Sequence, residues 1–258
     1  MQELIRQKLL EIEKEHELKV LFAVESGSRA WGFPSQDSDY DVRFVYVKKP
    51  EWYLSIDDKR DVVELPIDET LDISGWDIRK ALKLFRKSNP ALHEWLASGI
   101  VYREELGFRA ELIQMRNELF SPKTAMLHYL SMANGNYRKD LQGDHVRIKK
   151  YFYVLRPILA CEWIEKYRTN PPLLFQQLVA ELVTDADLRR EIDELLHRKM
   201  EGDELDLEPR IDVIHAYIDD RLERLSACAS EYAGSMPDQT ARLDELYRRY
   251  LRLAWRVP

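Results

Sequence analysis

A glycine–serine pair followed by two closely spaced aspartates, set between two apolar runs, is the part of this chain that most restricts its fold. Val20–Val24 is a short continuous apolar run, which is typical of a strand buried on both faces. Residues 27–28 are Gly-Ser, and a spacer that contains another glycine leads to Asp39 and Asp41. Asp41 opens a second run, whose β-branched and aromatic residues favour another strand. The segment therefore predicts two strands of a sheet, joined by a connection that carries polar side chains.

The glycine–serine pair has the chemistry of a phosphate-binding turn. Gly27 lets the backbone turn sharply and approach a ligand, because no Cβ stands in the way. The backbone N–H groups of Gly27 and Ser28, with the Ser28 hydroxyl, can bind phosphate oxygens. Arg29 adds a positive charge that can reach the same phosphates. A Gly-Ser pair alone is usually an ordinary turn, so this prediction depends on the aspartates that follow.

The two aspartates have the spacing of a metal-binding pair on a strand. Asp39 and Asp41 are two positions apart at the start of the second apolar run, so a strand places both carboxylates on one face. Two such carboxylates repel each other unless a cation lies between them, and oxygen ligands suit Mg²⁺ or Mn²⁺ bound together with substrate phosphates. An isolated Asp-x-Asp is usually part of a solvated loop. The conjunction of buried strand, Gly-Ser turn, spacer and aspartate pair favours the functional interpretation.

The segment GSRAWGFPSQDSDYDVRFVYV, residues 27–47, resembles the signature of the DNA polymerase β nucleotidyltransferase superfamily. The resemblance implies that Gly27 and Ser28 bind a triphosphate. It also implies that Asp39 and Asp41, with a third carboxylate on a later strand, hold two divalent ions. Two further stretches, GWDIRKALKLFRKSNPALHEWLASGIVY and KKYFYVLRPILACEWI, resemble a bacterial and phage family of predicted nucleotidyltransferases associated with RNA repair.

Two aspartates are candidates for the third carboxylate. Asp72 lies in an apolar–Asp–apolar triplet at residues 71–73, the pattern that the superfamily has at this place. Asp77 lies at a predicted junction of strand and helix, where it would also suit a helix N-cap. If one straight strand contains both, they face opposite ways, and at most one points toward the aspartate pair. We predict Asp72 as the third metal ligand and keep Asp77 as the alternative.

Basic and aromatic residues interleave over residues 137–156 in the later half of the chain. Lys149, Tyr153 and Arg156 have the spacing i, i+4 and i+7, so one face of a helix can present them, and Lys150 lies nearly on that face. Such a face suits a nucleoside triphosphate or a single-stranded acceptor. We predict that Lys150, Tyr153 and Arg156 bind the nucleotide; the alternative is an ordinary amphipathic helix with a solvated basic face.

Helical periodicity dominates the later part of the chain, whereas the earlier part alternates between apolar runs and helices. Arg60–Leu65 and Thr70–Trp76 are candidates for a third and a fourth strand. The sequence predicts an α+β fold, with an N-terminal α/β nucleotidyltransferase domain that contains a small mixed sheet, followed by a mainly helical domain. We place these domains at residues 1–105 and 106–258.

The overall charge and hydropathy exclude some classes of protein. The net charge of −7 argues against a uniformly basic nucleic-acid-binding protein, although it is compatible with a local basic patch. No apolar run reaches the roughly 20 residues of a membrane helix, and the charged N-terminus is unlike a signal peptide. We therefore expect a cytoplasmic protein with no membrane partner.

The sequence predicts a metal-dependent nucleotidyltransferase. It would move a nucleoside monophosphate from a nucleoside triphosphate such as ATP to an acceptor hydroxyl and release pyrophosphate, with Mg²⁺ or Mn²⁺ as cofactor. An RNA end fits the resemblance to the RNA-repair family, whereas a protein or small-molecule hydroxyl fits the acidic overall charge. The alternative class is a nucleotide-binding or partner-binding protein without turnover.

Overall fold

The computed structural model describes residues 1–66, 70–202, 207–229 and 238–256. Its strands are β1 (Leu18–Glu25), β2 (Tyr40–Lys48), β3 (Val62–Glu64), β4 (Leu71–Asp77), β5 (Val101–Glu104), β6 (His145–Arg147) and β7 (Leu207–Pro209). Its helices are α1 (Gln2–Glu15), α2 (Gly27–Trp31), α3 (Pro50–Tyr53), α4 (Ile78–Arg86), α5 (Pro90–Ala97), α6 (Phe108–Met115), α7 (Pro122–Asp140), α8 (Tyr151–Tyr167), α9 (Phe175–Leu182), α10 (Ala186–Glu201), α11 (Asp212–Ala229) and α12 (Thr240–Trp255). One turn of 3₁₀-helix, Ile148–Lys150, precedes α8.

The chain divides into two compact units. The first, here called the sheet unit, contains residues 1–30 and 39–119 and the described C-terminal residues 238–256. The second, here called the helical unit, contains residues 31–38 and the described part of 120–235. The chain therefore enters the helical unit briefly, between the Gly-Ser pair and the Asp-x-Asp pair.

The sheet unit is built on a five-stranded sheet with the order β3-β4-β2-β1-β5. Strands β2 and β4 run parallel, and the other neighbouring pairs are antiparallel. This mixed sheet with helices confirms the predicted α+β class. All four predicted strands are present, whereas β5, a four-residue edge strand, was not predicted because it is too short to show a period.

Both faces of the sheet are buried by apolar side chains. One face packs with α1 through residues that include Ile5, Leu9, Val20, Phe44 and Tyr46. The other face packs with α4, α5, α6 and α12 through residues that include Phe22, Val45, Phe85, Phe108 and Tyr250. A sheet that is buried on both faces explains why β1 and β2 read as continuous apolar runs.

The position of α12 explains why the observed units differ from the predicted domains at 1–105 and 106–258. This C-terminal helix lies in the sheet unit, where Leu243, Leu246 and Tyr250 are buried in the same cluster as Phe22 and Phe108. Its helical period predicted a helix but carried no information about which core the apolar face would cover. The first unit also extends beyond residue 105, since α6 packs against β1.

The helical unit has its own core, around the buried helix α8. Helices α7, α9 and α11 contact α8, and residues 31–38 add to the core through Phe33, which is 2% exposed. Phe33 stacks on Phe152 with a centroid separation of 4.8 Å and meets Phe175 edge-on at 5.5 Å. Within the described residues, no helix is both long enough and apolar enough to cross a membrane.

Candidate active site

Asp41 and Asp72 lie directly opposite each other on the parallel strands β2 and β4. Both side chains are partly exposed, each to 29%. Adjacent parallel strands that are in register point their paired side chains to the same face of the sheet. The fold thus brings together two carboxylates that are 31 positions apart in the sequence. Sequence reasoning proposed Asp72 from its apolar neighbours, and the register now gives the proposal a geometric basis.

The guanidinium group of Arg43 lies between these two carboxylates. Its Nη2 donates to Asp72 Oδ2 at 2.6 Å and to Asp41 Oδ1 at 3.1 Å. Its Nη1 donates to the backbone carbonyls of Val42 and Asp72 at 3.1 and 3.0 Å. Arg43 was not among the predicted site residues. Its position could have been predicted, because a residue two places after Asp41 on a strand shares its face.

Gly27 lies against the Asp41 carboxylate. Its φ is +60°, a conformation that residues with a Cβ rarely adopt. A Cβ placed on Gly27 would lie 2.1 Å from Asp41 Oδ2 and 3.0 Å from its carboxyl carbon. The glycine therefore lets the backbone approach the metal-ligand candidate Asp41, and it begins the short helix α2 where the sequence predicted a turn.

Glu25 is a fully buried carboxylate at the end of β1, and it was missed by the sequence analysis. One of its oxygens accepts a hydrogen bond from the Asp41 backbone N–H at 2.8 Å, and the other accepts from the Tyr102 hydroxyl. Burial raises the pKa of Glu25, while the hydrogen bond from Tyr102 opposes the rise. The sequence feature that could have identified Glu25 is an acidic residue at the end of an otherwise apolar strand. Glu25 fixes the backbone of Asp41 in place.

The surroundings of Asp41 disfavour its negative charge. Burial raises the pKa of Asp41, and the neighbouring carboxylates of Asp72 and Asp39 raise it further, whereas Arg43 opposes them. Because the pKa stays raised with Arg43 in contact, Arg43 compensates the negative charge at this position only in part. A bound cation would supply the rest of that compensation.

Arg29 links the Gly-Ser segment to the aspartate pair. Its Nε donates to the backbone carbonyl of Asp39 at 3.1 Å, and its guanidinium carbon lies 3.8 Å from the centre of the Tyr40 ring. The Asp39 side chain is exposed. The predicted role of Arg29 in binding phosphates stays a prediction, and its observed contacts hold the start of β2 beside α2.

Asp77, the alternative third ligand, is fully buried and caps helix α4. Its Oδ1 accepts from the Arg79 backbone N–H at 2.8 Å, and its Oδ2 accepts from the Tyr53 hydroxyl at 2.6 Å. Both oxygens thus have protein donors. Its partner across the β2–β4 ladder is Tyr46, five positions along from the Asp41–Asp72 pair.

The predicted nucleotide-binding residues of the later half lie in the helical unit. Lys150 ends the 3₁₀ turn, and its ammonium lies 3.9 Å from an Asp140 oxygen and 4.9 Å from the Tyr153 ring centre. Tyr153 is 42% exposed. Arg156 is only 2% exposed, with its guanidinium carbon 4.8 Å from the Trp31 ring centre. The helix begins at Tyr151, so Lys149 does not share a face of α8 with Tyr153 and Arg156 as the spacing suggested.

Across the described residues, no group of three or more histidines, cysteines, aspartates or glutamates is placed to hold a metal ion. The Asp41–Asp72 pair is nevertheless compatible with one. Magnesium is commonly held by one or two carboxylates together with substrate phosphates. A single guanidinium cation already contacts one oxygen of each carboxylate, so the pair converges on a shared cation. The donor set, which consists of oxygens, fits Mg²⁺ or Mn²⁺.

Comparison with known proteins identifies relatives over nearly the whole chain. The uncharacterized protein YcgL of Bacillus subtilis (strain 168) is 52% identical over 256 residues, which cover 99% of this chain and 98% of that protein. A crystal structure of a nucleotidyltransferase-like protein from Exiguobacterium sibiricum aligns with 86% of this chain and 74% of its own, at 13% identity and a TM-score of 0.33. The family model described as the RNA repair pathway DNA polymerase beta family matches residues 1–249. The resemblance predicted from the sequence is thereby confirmed, and the chain belongs to the RNA repair pathway DNA polymerase beta family.

Proposed function

We propose that this protein is a metal-dependent nucleotidyltransferase that acts on an RNA end. The observation that carries the proposal is the Asp41–Asp72 pair, held in register on parallel strands with the Gly27 backbone beside the Asp41 carboxylate. Membership of the RNA repair pathway DNA polymerase beta family supports the same reaction class. The reaction transfers a nucleoside monophosphate from a triphosphate to a hydroxyl.

The proposed metal ligands are Asp39, Asp41 and Asp72, and the proposed ion is Mg²⁺ or Mn²⁺. Asp41 and Asp72 converge on one cation, and Asp39 precedes Asp41 by two positions. A divalent ion held there would neutralise charge on the triphosphate and stabilise the entering and leaving oxygens. Asp77 is a weaker candidate, because both of its oxygens already accept hydrogen bonds from protein groups.

The triphosphate is proposed to lie along the Gly27-Ser28 segment, with Arg29 close to it. The absence of a side chain at Gly27 lets the Asp41 carboxylate lie against this segment, so a cation on Asp41 would be close to a triphosphate bound there. The acceptor oxygen attacks the α-phosphorus, the bond from that phosphorus to the bridging oxygen breaks, and pyrophosphate leaves. The proton of the acceptor hydroxyl passes to a carboxylate, for which we propose Asp72.

Lys150, Tyr153 and Arg156 stay candidates for nucleotide or acceptor binding. The exposed ring of Tyr153 beside the Lys150 ammonium has the chemistry of a surface on which a base can stack. Arg156 is buried beside Trp31, so its observed contacts stabilise the helical unit. We therefore expect Tyr153→Ala to affect substrate affinity more than thermal stability, and the reverse for Arg156→Ala.

The test is transfer of label from α-³²P-labelled nucleoside triphosphates. Each of the four triphosphates is incubated with the protein, Mg²⁺ or Mn²⁺, and a pool of cellular RNA, and the products are separated by size. We expect labelled RNA, equimolar pyrophosphate and complete loss of both when the metal is chelated. We expect Asp41→Asn to be inactive and Asp58→Asn, at an exposed aspartate of the same unit, to keep full activity as the matched control.

A second function, nucleotide binding without turnover, is favoured by one observation. Arg43 already compensates part of the charge of Asp41 and Asp72, as a protein that never binds a metal would require. In that case the protein would bind a triphosphate without metal and would release no pyrophosphate. Label on the protein or on a small molecule, with none on RNA, would retain the nucleotidyltransferase and reject the RNA acceptor.

A further inference from the structure

Arg43 is held in its place by more than the two carboxylates. Its Nη1 donates to the backbone carbonyls of Val42 and Asp72, and its Nη2 donates to the carboxylates of Asp41 and Asp72. The side chain is only 18% exposed. Two of these four hydrogen bonds go to backbone carbonyls, which are not metal ligands, so they can persist when an ion binds. A planar guanidinium with fixed donors also sets the orientation of the groups that it contacts.

The guanidinium uses one oxygen of each carboxylate. It contacts Oδ1 of Asp41 and Oδ2 of Asp72. The other Asp41 oxygen, Oδ2, is the one that lies nearest to Gly27, where a Cβ would approach it to 2.1 Å. The hydrogen bonds of Arg43 therefore turn the second oxygen of Asp41 toward the Gly-Ser segment.

We propose that Arg43 is a positioning residue for the divalent cation. It would stay between Asp41 and Asp72 when an ion binds, and it would leave for the ion the two oxygens that it does not contact, Asp41 Oδ2 and Asp72 Oδ1. Hydrogen-bonded partners of metal-ligating carboxylates fix the ligands in this way in many metal sites, and their loss commonly lowers metal affinity by about 10- to 100-fold. The inference rests on the proposed function, because it assumes that these carboxylates bind a metal.

A competing explanation predicts the opposite change in metal affinity when Arg43 is replaced. If Arg43 were only a counter-ion that occupies the place of the metal, its removal would free two carboxylates and delete a nearby positive charge. Both changes would increase the affinity for a divalent cation. The direction of the change in metal affinity therefore separates a positioning role from simple charge compensation.

The experiment is titration of the full-length protein with Mn²⁺ alone, followed by the electron paramagnetic resonance signal of the free ion. The variants are Arg43→Lys, which keeps the charge but loses the fork of donors, and Arg43→Gln, which loses the charge. Arg60→Gln is the matched control, since Arg60 is an exposed arginine of the same unit that pairs with Glu64. Thermal unfolding without metal measures any structural effect separately.

We expect Mn²⁺ affinity to fall about 10- to 100-fold in both Arg43 variants and to stay unchanged in Arg60→Gln. Unchanged affinity in Arg43→Lys, or tighter binding in Arg43→Gln, would overturn the positioning role while leaving the nucleotidyltransferase proposal in place. If the wild-type protein and Asp41→Asn bind Mn²⁺ equally poorly, the metal site and the proposed function fail together. If Arg43→Gln does not fold, Arg43→Lys decides the question by itself.

Discussion

Gly27 and Asp41 are in such close approach that a single methyl group at Gly27 would lie 2.1 Å from the Asp41 carboxylate. Gly27 also has a φ of +60°, which adds backbone strain to any substitution. We expect Gly27→Ala to displace Asp41, abolish nucleotidyl transfer and lower the free energy of unfolding. Gly27→Val should be worse, because a branched Cβ occupies more of the same space.

Gly107 is the matched control for Gly27. Its φ is +73°, so an alanine there suffers similar strain, but a Cβ would meet no atom within 4 Å. Strain alone costs about 1–2 kcal/mol at both positions. The clash should make Gly27→Ala less stable than Gly107→Ala by about 1–3 kcal/mol. Equal stability and equal nucleotide affinity in the two variants would remove Gly27 from the site.

Substitution with asparagine distinguishes the roles of Asp72 and Asp77. Asp72→Asn should abolish transfer, because the amide cannot compensate the charge of a divalent ion. Asp77→Asn should keep activity, since asparagine caps a helix about as well as aspartate. Its amide nitrogen cannot accept the hydrogen bond from Tyr53, so we expect a loss of about 1 kcal/mol in stability. Transfer assays and thermal unfolding on both proteins measure the two effects, and an inactive Asp77→Asn would reverse the assignment.

We expect His93 to make the stability of the protein depend on pH. It is 3% exposed on α5 and stacks on Phe85, and burial, with a smaller effect of Arg116, lowers its pKa to about 3. In the unfolded chain His93 becomes protonated below about pH 6.5, whereas in the folded state it stays neutral until about pH 3. The free energy of unfolding therefore falls as the pH drops from about 6.5 toward 3. The slope from this residue is at most about 1.4 kcal/mol per pH unit.

His93→Gln should flatten that slope, because glutamine keeps an N–H donor but does not titrate. The measurement is urea unfolding of the wild type and the variant between pH 4 and 8, in the same buffers. Parallel curves for the two proteins over this range would show that His93 has the same pKa in the folded and unfolded states.

The sequence predicted the parts of the fold that local patterns encode. The apolar run of β1 and the β-branched run of β2 identified two central strands, and the N-cap preference of aspartate marked the start of α4 at Asp77. Partners that depend on sheet register were not predictable in the same way. The contact of Arg43 with Asp72 requires β2 and β4 to be parallel and in register, and no local pattern specifies that.

Close contacts between residues far apart in the chain could not be predicted from the sequence either. A Cβ on Gly75 would lie 2.2 Å from the Phe44 ring, so this glycine is required by a residue on the neighbouring strand. The cation–π contact of Arg156 with Trp31 is similar, since the two residues are far apart in the chain. A helical period predicted that Arg156 shares a face with Tyr153 but not that the arginine would be buried.

Phe33 provides the last test, because it lies in the spacer between the two sequence motifs. A spacer in a solvated loop would tolerate substitution, but Phe33 is 2% exposed and packs on Phe152 and Phe175 in the core of the helical unit. Phe33→Ala should therefore lower the free energy of unfolding by about 3–5 kcal/mol, the usual result of removing a buried ring.

Gln36→Ala, at an exposed position of the same spacer, is the control and should change stability by less than about 0.5 kcal/mol. Both variants are compared with the wild type by urea unfolding at one protein concentration and pH. Phe33→Leu should recover part of the loss, because a smaller cavity remains when an aliphatic side chain fills most of the space. If Phe33→Ala is as stable as Gln36→Ala, the spacer does not belong to the core. Its aromatic residues would then have to be explained by a ligand rather than by packing.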